Sequence, residues 1–234
     1  MFDKTAQFYD KIYAFKDYAA EAEKLIALIR EQKGHGRLRL LDVACGTGLH
    51  LYHLKDAFQV EGLDISPDLI EMAARRNPEV EFHQADMIDF DLGRTYDVVA
   101  CLFSSIGYVR TVEKLKAAMR SMARHLVPDG LLIIEPWFTP AQWNPGTVHM
   151  VAVDEPELKI VRMNTSQVRG RFSILDLHYL VGTPQRTQHF VERHELGLFE
   201  QEEMKEAIVE AGMQVTFDEA GLTGRGLYVG RREP

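Results

Sequence analysis

Cysteine is scarce: Cys45 and Cys101 are the 2 in 234 residues, too few for a disulfide framework. Both fall in segments expected to be buried, which fits free thiols and a reducing, cytoplasmic setting. Long apolar runs are missing, so no membrane span is expected, and Met1 to Tyr13 lacks the basic flank and apolar stretch of a secretion signal. Basic charge is in deficit, with 27 Lys and Arg against 35 Asp and Glu for a formal net charge of −8. That balance argues against generic affinity for nucleic acid or anionic membrane, and any anionic ligand must meet a local basic patch. Repeats and low-complexity tracts are absent as well. What remains is an ordinary globular composition, 46% hydrophobic and 26% charged, in a chain long enough for one α/β domain with a sizeable core.

The stretch from Leu40 to Leu51 organises that domain. Leu38 to Val43 reads as a short buried strand, and Cys45-Gly46-Thr47-Gly48 as a tight turn opening a helix. Gly46 and Gly48 leave backbone that a ligand can approach, although an ordinary strand-to-helix turn shows the same pair. A dinucleotide fingerprint would need a third glycine to seat a pyrophosphate, and Leu49-His50-Leu51 follows instead. The loop therefore suits a nucleoside without a pyrophosphate, which points to S-adenosylmethionine. Two downstream carboxylates add to the signal. Asp64 ends the next strand, Gln59 to Leu63, where a ribose diol is held, and Asp86 follows the strand Glu81 to Gln84, placed to meet an adenine amine with Met87 against the ring.

The rest of the chain alternates helix and strand. Asp17 caps a helix from Tyr18 to about Gln32, and Ser66-Pro67 starts another that Asn77-Pro78 stops. Tyr96 to Leu102 is a fourth strand, Thr111 to Leu126 a helix, and Leu131 to Glu135 a fifth strand entered through Asp129-Gly130. His125, at the end of its helix, is expected to be a helix-terminal cation. Ligands of open parallel sheets bind beyond the carboxyl ends of the strands, which puts Ser104, Ser105 and Tyr108 beside the reacting group and Trp137 at the same end. Between Val148 and Leu198 alternating runs broken by Pro156, Gly170 and Gly182-Thr183-Pro184 read as an antiparallel meander. Its third run carries Tyr179 on one face and His178 on the other. A helix from Gln201 to Ala211 and closing strands at Gln214 to Asp218 and Leu227 to Gly230 return to the core. The glycine-rich loop Gly221 to Gly226 between them is either a plain hairpin connection or a seat for Arg225, whose fork suits a diphosphate.

Asp42 to Gly48, Gly62 to Ser66, Gln84 to Met87 and Asp129-Gly130 together resemble the successive motifs of the class I S-adenosylmethionine-dependent methyltransferases. More narrowly, Phe103-Ser104-Ser105-Ile106-Gly107, Val127 to Trp137 and Gly224-Arg225-Gly226-Leu227 resemble the enzymes that N,N-dimethylate dTDP-3-amino-deoxyhexoses for macrolide sugars. The resemblance implies an α/β fold: a Rossmann-like seven-stranded sheet, residues 1–140 and 199–234, with residues 141–198 inserted as an antiparallel β-meander covering the acceptor pocket. It adds Tyr9, Tyr18, Asp42, Ala44, Cys45, Ile65 and Leu102 to Gly46, Gly48, Asp64, Asp86 and Met87 as cofactor contacts. Tyr13, Ser104, Ser105, Trp137, Tyr179 and Arg225 are the implied acceptor contacts. The segment carrying Phe2, Phe8, Tyr9, Ile12, Tyr13 and Phe15 is either a short helix packed on the domain or a flap over the cofactor.

Attack on a sulfonium methyl needs an unprotonated amine held near the methyl carbon, and a nearby base raises the reactive fraction. The chain departs from the family here: well-studied members carry a histidine directly after Phe-Ser-Ser-Ile-Gly, and this one has Tyr108. A tyrosine of pKa about 10 positions an acceptor better than it removes protons, which leaves His178 and Glu135 as reserve candidates for the base. The expected activity is N-methylation of the amino group of a nucleotide-linked amino sugar by a metal-free enzyme, with a homodimer left open. Two alternatives stand beside it, a small-molecule N- or O-methyltransferase with a non-nucleotide acceptor and a non-catalytic S-adenosylmethionine-binding domain.

Overall fold

A computed structural model describes residues 6–233 of the chain, so Phe2 lies outside the described residues. In chain order the elements are α1 (Tyr9–Ile12), α2 (Tyr18–Lys33), β1 (Arg39–Val43), α3 (Leu49–Leu54), β2 (Gln59–Asp64), α4 (Pro67–Arg76), β3 (Glu81–Gln84) and β4 (Tyr96–Cys101). They continue with α5 (Val112–Arg124), β5 (Leu126–Ile134), β6 (Val148–Glu155), β7 (Leu158–Arg169), β8 (Phe172–Gly182) and β9 (Thr187–Gly197). The chain closes with α6 (Gln201–Glu210), β10 (Met213–Asp218) and β11 (Leu227–Arg232). Local chemistry sets several boundaries. The Asp17 carboxylate accepts the Ala20 N–H at 2.9 Å to cap α2, and the Ser66 hydroxyl caps α4 ahead of Pro67.

Seven strands form one sheet in the order β10-β11-β5-β4-β1-β2-β3, in which β11 runs antiparallel to both neighbours and the rest are parallel. From β1 the chain winds outward through β2 and β3, then returns to lay β4 on the other side. The crevice between the carboxyl ends of β1 and β4 is the point where such sheets bind ligands. Period-two alternation divides the core. Along β4, Val99 and Cys101 pack with α5 and α6, while Val98 and Ala100 pack with α2 and α3.

The second sheet, β6-β7-β8-β9, is a meander paired in chain order. Its inner face forms a separate apolar cluster of Ile160, Leu177, Tyr179 and Val181 that takes in Ile12 of α1. The segment before α2 thus packs on the meander, not only on the main sheet.

Two expectations are corrected. The fifth strand begins at Leu126, not Leu131, because Asp129-Gly130 is a bulge inside it: pairing with β4 jumps from Tyr96↔Leu126 to Val98↔Leu131, with Asp129 at φ 62°. His125 is not a helix-terminal cation. Its ring is buried against Phe90, Nδ1 bonds to the Ser121 carbonyl at 2.7 Å and Nε2 to the Leu92 N–H at 3.0 Å. Those partners specify a neutral imidazole, and burial holds its pKa below the ordinary value.

The meander is fastened to the sheet where Gly197 passes the turn after β4. A Cβ there would lie 2.7 Å from both the Arg110 carbonyl oxygen and Phe199 Cζ. Because one of these neighbours is backbone, Gly197→Ala is expected to lower stability by about 1–3 kcal/mol, read as a shifted urea midpoint. An unchanged midpoint would show that the junction yields.

Candidate active site

The loop after β1 is shaped by bonds to the end of β2. Cys45 N–H donates to the Leu63 carbonyl at 3.0 Å, and Gly46 N–H donates to Asp64 Oδ2 at 2.9 Å. Asp64 Oδ1 accepts the Ser66 N–H at 2.9 Å, so the carboxylate is held in place by the backbone on both oxygens. Gly46 sits at φ 57° with nothing within 4 Å of where a Cβ would be, and its bare backbone faces open space. Gly48 differs from the expectation. A Cβ there would lie 2.9 Å from Asn77 Nδ2 and 3.1 Å from Ala73 Cβ, so this glycine lets α3 start against α4 and lines neither cavity described below.

A cavity of about 740 Å³ runs over the strand ends. One end is walled by Asp64, Ile65, Asp86 and Met87, the middle by Tyr9, Tyr13, Phe103, Ser105 and Tyr108, and the far end by Trp137, Arg225 and the inner face of the meander. A small side chamber of about 30 Å³ shares Tyr9, Ala44, Gly46, Phe103 and Ser105 and adds Tyr18, Asp42, Cys45 and Leu102. The expected cofactor residues other than Gly48 therefore stand on one continuous surface. Beside the chamber a buried trio is knit together: Lys16 and His50 both bond the Glu21 carboxylate, with the lysine over the rings of Tyr18 and Phe103. Burial alone would raise the Glu21 pKa, but the His50 and Lys16 bonds outweigh it and hold the group low.

Of the expected acceptor residues, Tyr13, Ser105, Trp137 and Arg225 reach the cavity. Arg225 lies among the rings of Phe103, Trp137 and Phe138, 5.2 to 6.0 Å from their centroids, and donates to Ser104 Oγ at 3.0 Å. Ser104 does not line the wall. Its buried hydroxyl donates to the Pro136 carbonyl at 2.6 Å and is used up in holding Arg225. Tyr179 is also buried behind the wall, stacked on Phe190.

Neither reserve base faces the cavity. His178 is exposed and stacks on His189, because strand alternation turns it to the face opposite Leu177 and Tyr179. Glu135 is a fully buried strut, with Oε2 accepting the Phe103 N–H at 2.7 Å and Oε1 the Thr223 hydroxyl at 2.6 Å. Tyr108 does line the wall, and burial pushes its hydroxyl well above the ordinary tyrosine value.

The sequence reading missed Arg162, Asn164 and His194 on the same wall. Arg162 Nη1 and Asn164 Nδ2 are buried with no hydrogen-bond partner among the described residues. The available signal was parity, since Arg162, Asn164 and Ser166 follow one another on a single face of β7.

A family model described as a methyltransferase domain matches residues 40–130. The chain is 42% identical to the dTDP-3-amino-3,6-dideoxy-alpha-D-glucopyranose N,N-dimethyltransferase of Streptomyces fradiae, over 96% of this chain and 89% of that one. The solved sugar N-methyltransferase of a Streptoalloteichus species is 39% identical and superposes with a TM-score of 0.91, over 97% of this chain and 93% of that one. An amino pentose methyltransferase of Micromonospora echinaspora involved in calicheamicin biosynthesis, solved with S-adenosylmethionine bound, is 37% identical with a TM-score of 0.85, over 93% and 92% of the two chains.

Asp42 in the side chamber is 1% exposed, and its Oδ1 has no hydrogen-bond partner among the described residues. Burial, and after it the charge of Asp64, pushes this carboxyl up from 3.8 to about 8. The folded chain holds the proton more tightly than the unfolded one, so the group's contribution to stability is complete below about pH 4 and is lost as pH rises towards 8. The stability of wild type minus that of Asp42→Asn, from urea unfolding of the ligand-free chain, is expected to fall between about pH 5 and 8, by at most about 1.4 kcal/mol per pH unit. A difference flat in pH would show an ordinary carboxyl.

Proposed function

The chain belongs to the S-adenosylmethionine-dependent methyltransferases, in the group of the dTDP-amino sugar N,N-dimethyltransferases, and on that premise we propose that it methylates the amine of a nucleotide-linked amino sugar. One observation carries the acceptor: cationic and amide donors gather where the meander and the loop before β11 meet the cavity. Carboxylates Asp64 and Asp86 stand at one end, and at the other the guanidinium groups of Arg162 and Arg225 stand with the Asn164 amide. Arg162 Nη1 and Asn164 Nδ2 are buried without a hydrogen-bond partner among the described residues, in a protein of net charge −8, and an acceptor-rich diphosphate or sugar would satisfy them.

The residues present fit the cofactor. Asp64, Ile65, Asp86 and Met87 would hold its nucleoside, and the open Gly46 backbone its amino-acid portion. Asp42 Oδ1, which has no hydrogen-bond partner among the described residues, would accept from the cofactor's ammonium in the chamber beside Tyr9 and Tyr18. When bound, S-adenosylmethionine supplies an electrophilic methyl group on a sulfonium that departs as a neutral thioether. The chain's part is to orient and to exclude water. Tyr13, Phe103 and Tyr108 line the passage between the two ends, and the meander, residues 141–198 with their flanks, covers the acceptor. The acceptor is a small molecule, and among the described residues no helix is long and apolar enough to cross a membrane.

Incubation with S-adenosylmethionine and a panel of dTDP-linked amino sugars is expected to add one or two methyl groups, read by mass spectrometry. Arg225→Ala is expected to raise KM for the nucleotide-linked acceptor by about 10- to 100-fold, the worth of a charge-assisted contact, with a smaller change in kcat. Turnover confined to amines without a nucleotide, indifferent to Arg225, would overturn the assignment.

A further inference from the structure

The proton that the acceptor amine must lose needs a destination, and both groups expected from sequence to receive it face elsewhere. The cavity wall offers another. His194 of β9 is 3% exposed and lines the acceptor end, with Nδ1 2.7 Å from the Tyr108 hydroxyl. On the other side of the ring, Nε2 lies 3.8 Å from a Glu192 carboxylate oxygen.

We propose that Tyr108 and His194 form a proton relay for the acceptor amine, with Tyr108 touching the amine, His194 Nδ1 holding the proton behind it, and Glu192 stabilising the resulting imidazolium. This rests on the amine-acceptor reading above. The step balances without any further reagent. The ammonium gives a proton to Tyr108 Oη as the tyrosine's own proton passes to His194 Nδ1. A neutral amine, a neutral tyrosine and an imidazolium result, and the imidazolium returns its proton to water once product leaves.

Several features support this direction of transfer. Burial keeps the Tyr108 hydroxyl protonated, so it donates, and Nδ1 is then the nitrogen that accepts. The neutral ring carries its hydrogen on Nε2, towards Glu192. Packing fixes the pair. The turn Ser105–Val109 lies against β9, and a Cβ on Gly107 would come within 3.0 Å of Leu196 Cδ2 and 3.1 Å of Trp137 Cβ. Other groups around the pair are Tyr13 from the N-terminal segment, Arg162 from β7 and Tyr179 from β8, and the Arg110–Glu195 pair at 3.7 Å lies one position along β9. On the Tyr108 hydroxyl itself, after burial, the Glu192 charge acts to raise the pKa and the Arg162 charge to lower it. The relay supplies, from a distant strand, an imidazole to a site whose loop carries tyrosine.

The test is a pH series of kcat/KM for wild type, His194→Gln and Tyr108→Phe with S-adenosylmethionine and an amino sugar acceptor. His194→Gln is expected to lose about 100-fold at neutral pH, a typical worth for proton transfer by a positioned side chain. The loss should shrink as pH approaches the amine's own pKa, and Tyr108→Phe should show the same pH-dependent loss. A loss equal at every pH, or no loss, overturns the relay and leaves His194 a packing group. Nitrogen-15 NMR of the full chain with S-adenosylhomocysteine decides independently of turnover. An Nε2–H tautomer of His194 is expected, and an Nδ1–H tautomer would exclude proton acceptance from Tyr108. Should wild type methylate no amine at all, that failure belongs to the acceptor assignment, while the tautomer still decides the relay.

Discussion

A single buried carboxylate ties the acceptor end together. Glu135 follows β5, bonds its own N–H to the Cys101 carbonyl at 3.0 Å, and divides its two oxygens between the turn after β4 and the loop before β11. Phe103 and Ser104 in that turn hold positive φ, a costly conformation for residues with side chains that persists only when neighbours enforce it. The bond from Phe103 N–H to Glu135 is one enforcer, and the Ser104 hydroxyl on the Pro136 carbonyl is another. Arg225 then rests on Ser104. Burial of a carboxylate costs several kcal/mol and is offset only by well-formed hydrogen bonds. Here those bonds set the position of the cation on which the acceptor reading depends.

The N-terminal segment closes the other side by a similar division of contacts. Asp10 accepts from the Thr47 hydroxyl at 2.7 Å and pairs with Arg76, which fastens α1 to the loop after β1 and to α4. Ile12 belongs to the apolar cluster of the meander. One short helix therefore bridges the nucleoside end and the cover, and Tyr9 and Tyr13 between those anchors line the cavity.

Elements were legible in the sequence wherever one local rule governed them: caps at Asp17 and Ser66, apolar runs for the central strands, and turn residues between the strands of the meander. Three kinds of feature were not. Gly48 looks like ligand-binding backbone, but helix packing at Ala73 and Asn77 explains it, and only the partner element reveals that. Parity misled at His178, since on the meander the usual pattern is partly inverted. Met163 and Val191, beside His178 on the outer face, are exposed, while Arg162 and Asn164 turn towards the cavity. Binary patterning assumes that the hidden face is apolar, and a strand roofing a polar ligand breaks the assumption. The third kind is long-range juxtaposition. Tyr108 and His194 are 86 residues apart, and Glu135 and Thr223 are 88 apart.

The charges at the acceptor end bear on reactivity as well as affinity. A unit charge about 6 Å from an amine, at an effective dielectric of about 20, is worth about 3 kcal/mol, or about two pK units. Guanidinium groups that suit a diphosphate therefore also disfavour the ammonium form of the amine, and a sulfonium in the same cavity adds to the effect. Phosphate charge partly cancels the arginines. The thermodynamic push towards a neutral amine is therefore greatest for the arginine facing the amine and least for the one engaged by phosphate. Arg162 stands beside Tyr13, Tyr179 and the Tyr108–His194 pair, and Arg225 in its aromatic cage on Ser104. Lowering the amine's pKa does not by itself move its proton within a roofed cavity, which is why a positive wall and a route for the proton belong to the same design.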